Sequence, residues 1–125
     1  MTFDIESDGL NPQRDRLVLV GYRLDGQGRV KHIWFDENGV PTEDTTEFRK
    51  VLANPSILKR GHNVHFDALF LHFNGFVIVG PFECTRVLAY CENPFQDVGL
   101  KSLTQNRLKR AVTKFKDLVN AIATN

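Results

Sequence analysis

Residues 16–35 read RLVLVGYRLDGQGRVKHIWF, two runs rich in β-branched and aromatic residues that flank DGQG at 25–28. An Asp-Gly pair between such runs forces a reversal, because it tolerates the positive φ that tight hairpin turns require. The segment therefore predicts two antiparallel strands, over 16–24 and 30–35. Upstream, TFDIES alternates apolar and polar side chains from Phe3 onward, the period of a half-buried strand, and DGLNP then supplies a turn. The opening of the chain is thus a three-stranded meander, and whatever follows must pack against it.

Downstream the pattern changes to helix alternating with strand. PTEDTTEFRKVLAN, residues 41–54, offers Thr42 and Thr45 as caps and places acids early and Arg49-Lys50 late, the charge order that suits a helix dipole. SILKRG, residues 56–61, reads as a short fourth strand. NVHFDALFLHFNGF then sets Phe66, Leu69, Phe70 and Phe73 at helical spacing, with Asn74-Gly75 as the stop. FVIVG, residues 76–80, reads as a fifth strand or an extended segment. Beyond Pro81, ECTRVLAYCEN predicts a helix that ends at Pro94, and VGLKSLTQNRLK predicts a second, basic one. This order predicts an α/β fold: a mixed five-stranded sheet, antiparallel meander first and crossover-connected strands after, flanked by helices. A length of 125 residues suits one domain with a single core.

The composition, 42% hydrophobic and 25% charged, is that of a folded globular chain rather than a disordered one. No apolar run approaches the roughly 20 residues of a membrane span, and the N-terminus lacks the basic and apolar regions of a signal peptide, so the expected location is cytoplasmic. Cys84 and Cys91 read as reduced thiols, and with His62, His65 and His72 they fit no zinc-ligand spacing. His65 reads as a surface residue. Residues 1–50 carry seven basic and ten acidic side chains, whereas residues 51–125 carry nine and five. The positive excess gathers in Lys101, Arg107, Lys109, Arg110, Lys114 and Lys116, which suits either phosphate contact or a solvated helix face.

On the first strand, Asp4 and Glu6 share one face while Phe3 and Ile5 share the other. Two neighbouring carboxylates repel, and burying either without a partner is costly. A hard divalent cation such as Mg²⁺ would relieve both, taking carboxylate oxygens and keeping positions open for water and phosphate. Two solvent-facing acids on an edge strand are the other reading of the same residues.

FDIESDGL, residues 3–10, resembles the first exonuclease motif of the DEDD superfamily, the DnaQ-like nucleases, in which two acids precede a Gly-Leu turn. GHNVHFDALFL, residues 61–71, is similar to the second motif, with Asn63 and Asp67 one helical turn apart. CTRVLAYCEN, GLKSL and TKFKDL resemble later segments of the proofreading exonuclease domain of family A DNA polymerases, bacterial polymerase I and its phage relatives, although Cys84 stands where an Asp is usual.

The resemblance implies a ribonuclease H-like fold and 3′-to-5′ hydrolysis of single-stranded or frayed DNA ends, assisted by two Mg²⁺ or Mn²⁺ ions. It makes Asp4, Glu6 and Asp67 catalytic metal ligands, with Asp4 expected to bridge both ions. It places Ser7, Leu10, Asn63, Phe66 and Phe115 against the substrate. Leu10 could equally close its turn onto the core, Phe115 could be plain core, and the spacing of Phe66 suits core as well as contact.

The match also departs from the family pattern. No Tyr-xxx-Asp or His-xxxx-Asp follows Phe115, Asp117 falls where the family has no ligand, and only three residues precede Asp4. The third-motif helix and the start of the first strand are expected to be missing from 1–125. A polymerase domain or a second chain would then supply the fourth acid. Two alternatives share both motifs: an RNA 3′-exonuclease, and a catalytically impaired module of this fold that only binds nucleic acid.

Overall fold

The structure, a computed structural model, describes residues 1–110. The elements run β1 (Thr2–Ser7), β2 (Leu17–Arg23), β3 (Lys31–Trp34), α1 (Thr46–Ala53), β4 (Lys59–Gly61), α2 (Val64–Phe73), β5 (Phe82–Cys84), α3 (Thr85–Glu92) and α4 (Leu100–Leu108). The strands form one five-stranded sheet in the order β3-β2-β1-β4-β5. β1 is antiparallel to β2 and β2 to β3, whereas β4 is parallel to both β1 and β5. This is the mixed sheet that the sequence predicts. The chain forms two compact units, Met1–Thr85 and a second from Arg86.

The first unit owes its core to the two-residue period of its strands. Phe3 and Ile5 of β1 are buried and pair across the sheet with Tyr22 and Val20, and Val20 pairs in turn with Ile33. Helix α1 contributes Phe48, Val51 and Leu52 to this layer, and α2 contributes Phe70 and Leu71. The Phe48 ring meets Phe3 edge-on at 6.4 Å and Phe76 at 5.7 Å. Such aromatic pairs add to the area they bury. Two polar bonds fasten α1 to the sheet: the Tyr22 hydroxyl donates to Glu47 at 3.0 Å, and the Lys31 ammonium to the same carboxylate at 2.6 Å. Lys59 lies fully buried in β4, where its ammonium donates to the Asn54 carbonyl at the end of α1. A cation there also favours the negative end of the helix dipole.

Several boundaries differ from the sequence reading, each for a tertiary reason. Helix α1 begins at Thr46, because Pro41 bridges to Phe35 and the Thr42 amide donates to the Trp34 carbonyl, which holds residues 41–42 against β3. The Thr45 side chain makes no cap bond, and the Asp44 carboxylate instead accepts the Thr46 amide and hydroxyl. The fifth strand is Phe82–Cys84 rather than FVIVG. Phe76 turns into the core and the Val79 amide donates to Leu52, so this β-prone run docks on the end of α1. Pairing with β4 starts only after Pro81, whose carbonyl accepts the Lys59 amide. Because Glu83 and Cys84 belong to β5, α3 starts at Thr85 rather than 83. Helix α2 does stop at Asn74, followed by Gly75 with φ +82°.

In the second unit, α3 and α4 flank the break at Pro94. The Gln96 amide donates to the Ala89 carbonyl at 2.8 Å, and the Asp97 carboxylate accepts the Gly99 amide and the Ser102 hydroxyl ahead of and within the first turn of α4. Arg107 pairs with Glu92 at 2.7 Å, so one cation of the basic cluster is already engaged. Lys114 and Lys116 lie outside the described residues. Among the described residues, no helix is long and apolar enough to cross a membrane.

Candidate active site

The strand pattern that builds the core also presents the acids. With Phe3 and Ile5 turned inward, Asp4 and Glu6 stand exposed on the opposite face of β1. Asp67 arrives from α2, and two residues ahead of that helix, Gly61 and Asn63, set its position. A Cβ on Gly61 would lie 3.3 Å from the Phe3 carbonyl and 3.2 Å from a Val64 methyl, closer than most side chains tolerate, so glycine lets this turn press against β1. Asn63 adopts the left-handed conformation, φ 63° and ψ 47°, and α2 starts directly after it. Asn is one of the few non-glycine residues that visits this region readily, and such geometry concentrates at functional sites.

Asp67 is 4% exposed. Its Oδ2 and the Oδ1 of Asn63 are buried without a hydrogen-bond partner among the described residues. Loss of water, reinforced by the neighbouring charge of Asp4 and less strongly by Glu6 and Cys84, pushes the Asp67 carboxyl up to about 8 against the pull of the Ile5 amide. Asp4 has an open side chain, yet its carboxylate is partly desolvated and also held above the usual range. The Ile5 amide and the charge of His62 oppose that shift. The acids therefore form an electrostatically coupled group whose mutual repulsion and desolvation outweigh the charge of His62.

A divalent cation fits this arrangement, since the orphaned Asp67 oxygen and the two β1 carboxylates are oxygen donors in need of one. Among the described residues no three His, Cys, Asp or Glu side chains converge closely enough to enclose an ion unaided. Mg²⁺ typically takes one or two carboxylates and completes its shell with water and substrate phosphate, so these residues could hold it without enclosing it. A cavity of about 450 Å³ beside α2 is lined by Val64, Ala68, Leu69, Ile78 and Phe82 among others, and contains none of the three acids.

The remaining predicted site residues are placed as follows. The Ser7 hydroxyl donates to the Gly9 carbonyl at 2.7 Å, which tightens the turn after β1. A Cβ on Gly9 would overlap the Asp15 carboxylate that accepts the Asn11 amide, so a side chain there would displace Asp15. Leu10 is 83% exposed at the tip of this turn and does not close onto the core. Phe66 packs partly buried against the core, its ring 5.1 Å from Phe70, in keeping with its helical spacing. Phe115 lies outside the described residues. One neighbour went unrecognised in the sequence except as an unsuitable zinc ligand: His62, whose Nδ1 is 2.9 Å from the Thr85 hydroxyl and whose charge reaches Asp4. Its place between Gly61 and Asn63 was the available signal.

Residues 1–123 match the model of a 3′-5′ exonuclease family. No curated protein matches the chain. Among solved structures, Brucella melitensis NrnC with bound Mg²⁺ is 27% identical with a TM-score of 0.77, the match covering 90% of this chain and 55% of that one. Brucella melitensis NrnC bound to pGG is 30% identical with a TM-score of 0.75, over 90% and 54%. The zinc-bound E. coli ExoI–ssDNA complex shares the fold at 16% identity and a TM-score of 0.59, over 98% and 38%. The chain thus spans little more than half the length of the NrnC structures.

Proposed function

From the premise that the chain belongs to the 3′-5′ exonuclease family, with the ribonuclease H-like fold of the DEDD nucleases, we propose that it hydrolyses the 3′-terminal phosphodiester of single-stranded nucleic acid. The DNA end of a frayed primer is the proposed substrate, in the manner of a proofreading exonuclease. The observation that carries the reading is the buried Asp67 carboxyl beside Asp4 and Glu6, one oxygen of which has no hydrogen-bond partner among the described residues. These three acids would hold Mg²⁺ or Mn²⁺, a pair of ions in the complete site. When bound, such ions polarise the phosphoryl group and lower the pKa of an attacking water.

The chain's own residues do the rest. Asp4 and Glu6, fixed on a rigid strand, set the depth at which the scissile phosphate stops. Asn63, whose buried Oδ1 has no partner among the described residues, would accept a hydrogen bond from the substrate or from water in its shell. Leu10, projecting from the turn held by Ser7 and Gly9, reaches toward the terminal base, where stacking is blind to sequence. In the reaction the water oxygen joins phosphorus, the P–O3′ bond breaks, the 3′ oxygen takes up a proton, and a nucleoside 5′-monophosphate departs. All of 1–125 is proposed to act as one exonuclease domain. A further segment, from a polymerase domain or a second chain, would complete the acids, as the resemblance implies.

One observation favours a second reading. NrnC, 30% identical over the match, is bound to pGG, which supports very short oligonucleotides as substrates of this site, RNA as well as DNA. Both readings are tested with 5′-labelled DNA and RNA oligomers and with dinucleotides in Mg²⁺, for the wild type and Asp67→Ala. The proposal expects stepwise shortening from the 3′ end that the variant loses by at least about a thousandfold, the scale of an essential catalytic group. Preference for dinucleotides or RNA would select the second reading. Binding without any metal-dependent shortening would leave a nucleic-acid-binding module in place of an enzyme.

A further inference from the structure

The carboxylate face of the sheet continues beyond β1. In register, Glu6 pairs with Leu19 and Leu19 with Trp34, while Asp4 pairs with Gly21 and Gly21 with His32. Side chains of directly paired residues share a face, so two rows run from the acids across β2 to β3. The first ends on Trp34, 50% exposed. Along the second, Gly21 leaves a gap: the nearest side-chain atoms to a Cβ built there are His32 and Val30 carbons at 3.8 and 3.9 Å. Thr2 and the exposed Arg23 pair in the next row and add a cation to the same face.

Trp34 is held in place although its ring is open to solvent. Its amide donates to the Glu43 carboxylate at 2.6 Å, and its carbonyl accepts the Thr42 amide at 2.8 Å and the Thr42 hydroxyl at 3.3 Å. These bonds occupy the outer edge of β3 and fix the backbone that carries the indole. A large aromatic on a rigid backbone, with half its surface unused, is a stacking platform.

We infer that Trp34, with Leu19 and the gap at Gly21, forms a track for single-stranded nucleic acid, on which a base upstream of the scissile phosphate stacks against the indole. This rests on the proposed function, since it assumes that the 3′ end lies at Asp4 and Glu6. Two strand spacings, roughly 10 Å, separate Glu6 from Trp34, within reach of a short oligomer. Leu19 supplies an apolar floor, the absent side chain at Gly21 gives the strand room, and Arg23 faces its phosphates.

Trp34 is the only tryptophan in the chain, so its emission reports on this face alone. The probe is single-stranded oligodeoxyadenylate with phosphorothioate linkages at its 3′ end, which resist hydrolysis, titrated in Mg²⁺. Affinity is followed separately by anisotropy of a dye on its 5′ end. The expected result is saturable quenching of Trp34 that parallels the anisotropy. Trp34→Ala should weaken binding about 5- to 100-fold, and Trp34→Phe should restore much of it. Gly21→Leu, which puts a side chain into the gap, should weaken binding as well. Binding with unchanged emission, and with equal affinity in Trp34→Ala, overturns the track while leaving the exonuclease reading intact. An oligomer that neither binds nor is shortened overturns both.

Discussion

The two faces of β1 divide one six-residue strand between stability and chemistry. On one face Phe3 and Ile5 disappear beneath Phe48, Phe70 and Leu71, where close packing and lost apolar surface hold the unit together. On the other, Asp4 and Glu6 stand open beside a buried Asp67 that they repel. The difference shows what each face is for: the inner one gains from every contact, whereas the outer one is less stable than it would be with neutral side chains. A cluster that works against folding is retained where a ligand offsets the repulsion.

Substitutions break or sharpen this contrast. The largest loss of stability belongs to the inner face: Phe48→Ala, at a fully buried ring, should cost about 3–5 kcal/mol in urea unfolding. A cost below about 1 kcal/mol would mean that the packed face does not carry the fold. On the outer face the sign reverses. In chelator, Asp67→Asn removes a desolvated carboxyl repelled by its neighbours and should stabilise the protein by about 1 kcal/mol or more, while abolishing 3′-end shortening. Destabilisation in chelator would show that the bond from the Ile5 amide outweighs the desolvation and repulsion.

The smallest effect lies at the margin of the inner face. Tyr22→Phe loses the bond to Glu47 and should cost about 1 kcal/mol near neutral pH. Burial, with the Glu47 bond and charge, pushes the Tyr22 hydroxyl up to about 12, whereas in the unfolded chain it ionises near 10. Between those values the native state holds the extra proton, so this contribution to stability is complete below pH 10 and lost as pH rises through the window to 12. Alkaline melting curves of the wild type should carry this slope, and those of Tyr22→Phe should lack it.

The same contrast explains what could be read from the sequence. The meander and the presentation of Asp4 and Glu6 were legible because a two-residue period is local. The turn at Gly61 and Asn63 was legible as a motif, and its physical basis lies in the contact with the Phe3 carbonyl. Helix α2 was harder. Phe66, Leu69, Phe70 and Phe73 point to an apolar stripe, yet the buried residues are Val64, Asp67, Phe70 and Leu71, with Leu69 and Phe73 each 46% exposed. An acid occupies the buried stripe, so apolar spacing alone turns the helix by the wrong angle. The sequence left FVIVG open between a fifth strand and an extended segment, and the structure makes it the latter. FVIVG has the stronger β propensity, but the partner on β4 is engaged only by residues after Pro81, and pairing register is not local information.

The account rests on Asp4, Glu6 and Asp67 acting together as a cation site on the open face. The most direct measurement is the melting temperature with and without Mn²⁺, for the wild type and for Asp4→Asn. A cation bound only by the folded state stabilises it by RT ln(1 + L/Kd), with L its free concentration, and so raises the melting temperature as that concentration rises above Kd. The account predicts a clear rise in the wild type and little or none in Asp4→Asn. An unchanged melting temperature in the wild type, or an equal rise in the variant, would contradict it.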